Sequence, residues 1–139
     1  ENSASWFRAA ADKGSAAGQC GIGLCFMRGD GVAQNPRKAV KWLRKAAEQG
    51  QARAQFSLGV ALMMGQGVAV DQRESVRWLR ASAEQGIFEA MMNYASCLAT
   101  GRGVAQDLDE ARHLVLRAAS EQSERRLPIE SSGVGFMCL

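Results

Sequence analysis

At 139 residues the chain is long enough for one domain with a core, provided its segments stack. Its 17 basic and 14 acidic residues leave a formal charge of +3, without the clustered Lys/Arg and interleaved aromatics of a nucleic-acid footprint, so no nucleic-acid partner is expected. No run approaches the roughly 18 apolar residues of a membrane span, so direct membrane insertion is not expected either.

A fixed period organises the chain. Trp6, Trp42 and Trp78 stand 36 positions apart, and Leu114 takes the next place. Gly14, Gly50 and Gly86 repeat in the same way, as do the pairs Gly29/Gly31, Gly65/Gly67 and Gly101/Gly103, each followed by Val-Ala. A period in this range marks a solenoid, in which each unit buries its apolar face only against its neighbours.

In chain order, residues 3–13 form a helix of the second type in the unit, without a first helix of its own. The first residue is Glu1, and the phase begins partway through a unit, which reads as a segment of a longer or processed chain. The first unit follows as helices 15–29 and 35–49, the second of them opened by Asn35 as N-cap with Pro36 at N1. In the second unit, 51–64 carries Ala54, Leu58, Ala61 and Leu62 at helical spacing, and Gly65 supplies a left-handed stop. Helix 71–85 opens at Asp71, with Glu74 at the reciprocal position of a capping box, and Val76, Trp78, Leu79, Ser82 and Ala83 make its apolar stripe. Trp42 and Trp78 are expected to be buried between successive units. The third unit, 87–100 and 107–121, repeats the device with Asp107 and Glu110. Period-two alternation is absent, so the fold is all-α: a superhelix of stacked antiparallel helix pairs over residues 1–122. Beyond it Gln122 replaces the stop glycine and Pro128 interrupts any next helix, so 123–139 reads as a flexible tail.

The four cysteines do not suit a disulfide framework. Cys20 and Cys25 point about 140° apart around a helix. Cys25 and Cys97 share a phase two units apart, beyond the ~7 Å Cα limit when helices are spaced ~8–10 Å. Reduced thiols favour a reducing intracellular compartment. Catalysis finds little support: His113 stands where Lys41 and Arg77 stand, has no second metal ligand suitably spaced, and completes no constellation with a Ser or Cys. The Gly-x-Gly pairs follow helices and lack the Lys-Ser/Thr of a phosphate loop. No cofactor or metal is expected.

Leu58-Gly59, Gly65-x-Gly67-Val68, Asp71 and Trp78-Leu79-Arg80-x-x-Ala83-Glu84-Gln85-Gly86, in three copies over residues 5–121, resemble the Sel-one-like repeat (SLR) family, a relative of the tetratricopeptide repeat (TPR). Ala95 departs from the pattern, standing where the other units have Gly23 and Gly59. The resemblance implies a right-handed TPR-like α-solenoid acting as an adaptor or scaffold for other proteins, in settings from membrane-protein degradation to cell-wall synthesis and host contact.

In the related TPR pattern, set positions of each first helix face a concave groove. Carried over, they give Ala17, Cys20, Leu24, Met27 and Arg28 in the first unit; Arg53, Phe56, Val60, Met63 and Met64 in the second; and Glu89, Met92, Ser96, Ala99 and Thr100 in the third. The candidate partner site is Cys20, Leu24, Met27, Arg53, Phe56, Val60, Met63, Met64, Met92 and Ser96, with Phe56, Met63 and Met92 as anchor; the same side chains could instead be core between tight neighbours. A basic ladder (Arg37/Arg73, Lys41/Arg77/His113, Arg8/Arg44/Arg80) reads as a solvated outer face or a strip for an acidic partner or membrane surface. The expected partner is a peptide or domain of another protein. Self-association through Val134, Phe136, Met137 and Leu139 of the tail is a further expectation. A structural spacer, or a ligand-binding or enzymatic protein using Cys20, are the alternatives.

Overall fold

The structure is a computed structural model that describes residues 3–137, with side chains described through residue 124. Among these residues there are seven helices and no strand: α1 (Ser3–Asp12), α2 (Ala16–Arg28), α3 (Pro36–Glu48), α4 (Ala52–Met64), α5 (Gln72–Glu84), α6 (Phe88–Thr100) and α7 (Leu108–Met137). Each helix packs chiefly on its neighbours in sequence, so α2/α3, α4/α5 and α6/α7 form the stacked pairs of a solenoid.

The ends of the helices are set by local chemistry. Asp71 Oδ1 accepts the Glu74 N–H at 3.0 Å, and Asp107 Oδ1 accepts the Glu110 N–H at 3.0 Å. Asn35 does the same for Lys38 at 3.2 Å, ahead of Pro36. The expected capping box is only half formed. Glu74 turns its carboxylate away from the Asp71 N–H, because Arg44 of the preceding unit captures it at 2.6 Å and the Trp78 indole N–H donates to it at 3.2 Å.

Small residues bring the paired helices together. At Gly59 a Cβ would stand 2.9 Å from the Leu79 side chain and 3.2 Å from the Ser75 carbonyl oxygen. Gly23 sits against Leu43 in the same way. Ser75 and Ser82, both fully buried, donate their hydroxyls to the Gly59 and Ala52 carbonyls at 2.6 and 2.9 Å, tying α5 to α4. Amide pairs join the same layers: Gln49 Nε2 donates to Gln19 Oε1 at 2.7 Å, and Gln85 Nε2 to Gln55 Oε1 at 2.9 Å. Burying Gln19 and Gln55 is tolerable because each amide finds such a partner.

The inter-helix loops fix the spacing of units. Gly67 has φ +74°, and a Cβ there would run into the Pro36 carbonyl of the preceding unit; Gly103 meets the Gln72 carbonyl likewise. Only glycine satisfies both the left-handed backbone and the close approach.

Two expectations are revised. Trp42 and Trp78 are half-buried, each leaning on an apolar cluster, while Leu43 and Leu79 are the fully enclosed side chains. Indole bulk at the edge of the layer leaves the N–H of Trp78 in reach of Glu74, which full enclosure would not. Trp6, in the chain's first helix, is 72% exposed. At the other end α7 continues through Pro128 to Met137, where the sequence reads a tail: Gln122 stands in the place of Gly50 and Gly86, so no glycine ends this helix at the usual point. The proposed tail docking concerns side chains from 134 to 139, and these lie outside the described residues.

Candidate protein-interaction site

The first helices α2, α4 and α6 supply the face where the groove is expected, and their side chains there divide by burial. Leu24 and Met27 are half-buried against the cluster built on Ala54, Leu58 and Leu62 of the next unit. Phe56 and Met63 pack in the same manner against the cluster holding Ala90, Tyr94 and Leu98. These four therefore spend part of their apolar area cementing successive units. Arg53 and Glu89, at equivalent positions of α4 and α6, approach to 3.9 Å, and the Arg53 guanidinium lies 5.7 Å above the Phe56 ring. Both partners of that ion pair are about half exposed, so it orients more than it stabilises.

Cys20 is corrected from a groove position to a core one. Its side chain is 4% exposed among Leu43, Ala54 and Leu58, where the next unit closes over it. Burial pushes its thiol pKa up, with Arg53 opposing; burial dominates, and a raised pKa withholds the thiolate a nucleophile needs. Cys25 and Cys97 are also free and buried, and burial raises both. Among the described residues the cysteines are thus unpaired, as expected; Cys138 lies outside them.

What remains open on the first-helix face is centred lower in the array. Met64 is 66% and Met92 37% exposed, and Ser96 is exposed. Val60, Met63 and Met64 of α4 face Asn93 and Ser96 of α6 and Arg102 of the following loop across a cavity of about 330 Å³. Four of the ten candidate residues thus meet at one site, with flexible thioethers on one wall and an amide, a hydroxyl and a guanidinium on the other. Such a mixture suits an apolar side chain entering between hydrogen-bonding groups for its backbone. Met92 lines a separate cavity with Phe88, Val115 and Ala119, between α6 and α7. Asn93 and Arg102 escaped the sequence reading, though a signal exists: Asn93 shares its phase with Gly21 and Ser57, so polar reach grows along the array.

The basic ladder also divides. Arg8 pairs with Asp12 at 3.4 Å and Arg80 with Glu84 at 3.2 Å, both exposed contacts within one helix. Arg44 is different, because its bond to Glu74 joins α3 to α5 and is partly sheltered. That contact, seconded by the Trp78 indole, holds the Glu74 carboxyl below its usual range. His113 is exposed on α7. Among the described residues no group of three His, Cys, Asp or Glu could hold a metal, and no helix is long and apolar enough to cross a membrane.

The repeating pair of helices, glycine loop and capped second helix has a known counterpart: the Sel1 repeat pattern matches residues 1–15, 16–51, 52–87 and 88–123. The chain belongs to the Sel1 repeat family. Its fold is similar to c5321, a protective antigen present in uropathogenic Escherichia coli strains, with a TM-score of 0.81 and 40% identity over 84% of this chain. It is also similar to a Sel1 repeat protein from Oxalobacter formigenes (TM-score 0.78, 33% identity, 85% of this chain). The chain spans 25% of the length of the first of these and 49% of the second. Cysteine rich protein B of Helicobacter pylori shares the fold at 16% identity, with a TM-score of 0.66 over 86% of this chain and 90% of its own. No curated protein matches the chain. Sel1 repeats are commonly protein-interaction repeats, and their proteins are typically non-catalytic scaffolds that bind other proteins.

Proposed function

We propose that this Sel1 array is an adaptor that binds an extended or helical peptide of another protein on its first-helix face, anchored at the cavity between α4 and α6. The observation that carries this reading is the exposed Met64 beside Met63 and Val60, facing Asn93, Ser96 and Arg102 across about 330 Å³. An aliphatic or aromatic anchor fills that volume, and the polar wall satisfies the peptide backbone beside it. Phe56 supports the wall from within the inter-unit packing rather than meeting the partner first.

The test is affinity capture with the array as bait, followed by binding of the captured partner's peptide to the wild type and to Met64→Asp. The substitution lies at an exposed side chain, so the fold is expected to persist by circular dichroism. Loss of binding with an intact fold supports the site. Undiminished binding to Met64→Asp, and to Ser96→Arg, overturns it.

A further inference from the structure

One surface pocket recurs on the second-helix side, formed in each unit by a second helix and the glycine loop of the unit that follows. Its three copies are lined by α1 with Gly31 and Val32, by α3 with Gly67 and Val68, and by α5 with Gly103 and Val104. The copies share a backbone and differ in charge. The α1 copy carries Arg8 and Asp12, which pair with each other. The α5 copy sets Arg73, Arg77 and Arg80 against Asp71 and Glu74. The α3 copy, the largest at about 720 Å³, gathers Arg37, Lys38, Lys41 and Lys45 with Arg8 and Arg44 against a single carboxylate, Glu48.

One position accounts for much of the contrast. Where α5 has Glu74, which neutralises Arg44, α3 has Lys38. Arg8 and Arg44 are already satisfied by Asp12 and Glu74. That leaves Arg37, Lys38, Lys41 and Lys45 on exposed positions, with no carboxylate within ion-pair distance among the described residues. Beside this rim lies an apolar surface of Phe26, Val40, Val68 and the half-buried Trp42, with Lys45 at 4.8 Å and Arg8 at 5.7 Å from the centre of the Trp42 ring. The rim from Arg37 to Lys45 runs about 12 Å along the helix, the reach of three to four extended residues.

We propose that this pocket binds an acidic peptide segment, with carboxylates along the α3 cations and an apolar side chain on Trp42. The concavity and the indole wall favour a peptide over a flat membrane surface, which would meet the cations and leave the pocket empty. Clustered cations in a cleft focus the field and speed capture of such a partner, with an attraction that salt screens. The surface is separate from the α4/α6 cavity and stands whether or not that cavity binds a partner.

Calorimetric titration at low and at physiological ionic strength tests it, using a blocked Glu/Asp-rich peptide with one central Phe. The comparison ligands are its Gln/Asn counterpart, phosphatidylglycerol vesicles and inorganic phosphate. The acidic peptide is expected to bind the wild type more weakly as salt rises. It should lose roughly tenfold or more in affinity in Lys41→Glu/Lys45→Glu and in the gentler Lys41→Gln/Lys45→Gln. Arg73→Glu/Arg77→Glu, in the α5 copy, and Met64→Asp should leave it within about twofold. Absence of binding at low salt, equal loss in the α5 variant, or capture of vesicles or phosphate without the peptide overturns the proposal.

Discussion

Replacing Gly59 by alanine probes how closely α4 and α5 are held. The added methyl would stand 2.9 Å from both Cγ and Cδ2 of Leu79 and 3.2 Å from the Ser75 carbonyl oxygen, inside the ~3.5–4.0 Å optimum for carbon contacts. Leu79 is 2% exposed, and its Cγ as well as its Cδ2 would have to shift toward the α4/α6 cavity to make room. The helices cannot part easily, because the Ser75 hydroxyl grips the Gly59 carbonyl at 2.6 Å. Overpacking of this kind costs about 1–3 kcal/mol, while alanine in a helix interior recovers about 0.8–1.0 kcal/mol over glycine. Gly59→Ala should therefore destabilise by ~1 kcal/mol net. In the third unit Ala95 replaces the glycine and Ala111 the serine, while Val115, at the position of Leu79, is exposed and Leu114 is the side chain buried in the cluster with Ala95. Leu79→Val alone should cost ~1 kcal/mol for the lost methylene and cavity. In the double variant the alanine methyl occupies that space, so its stability should exceed the sum of the single effects by ~1–2 kcal/mol. Urea denaturation followed by circular dichroism measures all four corners of the cycle. If Gly59→Ala is more stable than the wild type and the two effects simply add, the close approach does not constrain the pair.

Other expectations follow from the caps, the inter-unit ion pair and the thiols. Asp71→Ala should lower stability by ~0.5–2 kcal/mol in the same assay, with peptide binding retained, since the carboxylate serves the Glu74 N–H. Glu74→Gln should cost ~1 kcal/mol near neutral pH, discounted for the partial exposure of the pair. Because the folded Glu74 carboxyl lies below its ordinary range, its contribution is full above the unfolded pKa and fades as pH falls through the folded one; wild type and variant should converge there in acid denaturation. Cys20, Cys25 and Cys97 should resist a thiol reagent in the native state and react in denaturant without reductant. An early native reaction at Cys20 would contradict its burial.

The architecture was legible because its determinants are local and repeated. A cap such as Asp71, a stop such as Gly65 and a stripe such as Val76 to Ala83 act within a few residues, and their recurrence fixes the phase of every helix. What escaped were contacts between units, which depend on where side chains meet in space. Glu74 fits a capping box by spacing, yet Arg44, thirty residues away, holds it. Cys20 shares its phase with Phe56 and Met92, but the next unit covers it while Met92 stays open. Trp marks the repeat in the sequence, and the smaller Leu beside it fills the core. Gln19 and Gln55, and Gln49 and Gln85, do recur at the 36-residue period, but a repeated glutamine looks like a surface residue until the fold shows which two amides meet.

The Gly67 and Gly103 loops come up against the Pro36 and Gln72 carbonyls of the preceding unit, with the Val76 side chain also close to Gly103. The pitch of the spiral is therefore gauged largely by a glycine seated against a carbonyl, and the carbonyl is a group that every residue type at the facing position possesses. Side chains on either flank can be exchanged for others of different charge or shape without bending the rod on which they are mounted. The same scaffold geometry can then display unlike chemistry at successive steps, as the three second-helix pockets already do, much as identical sockets accept different fittings.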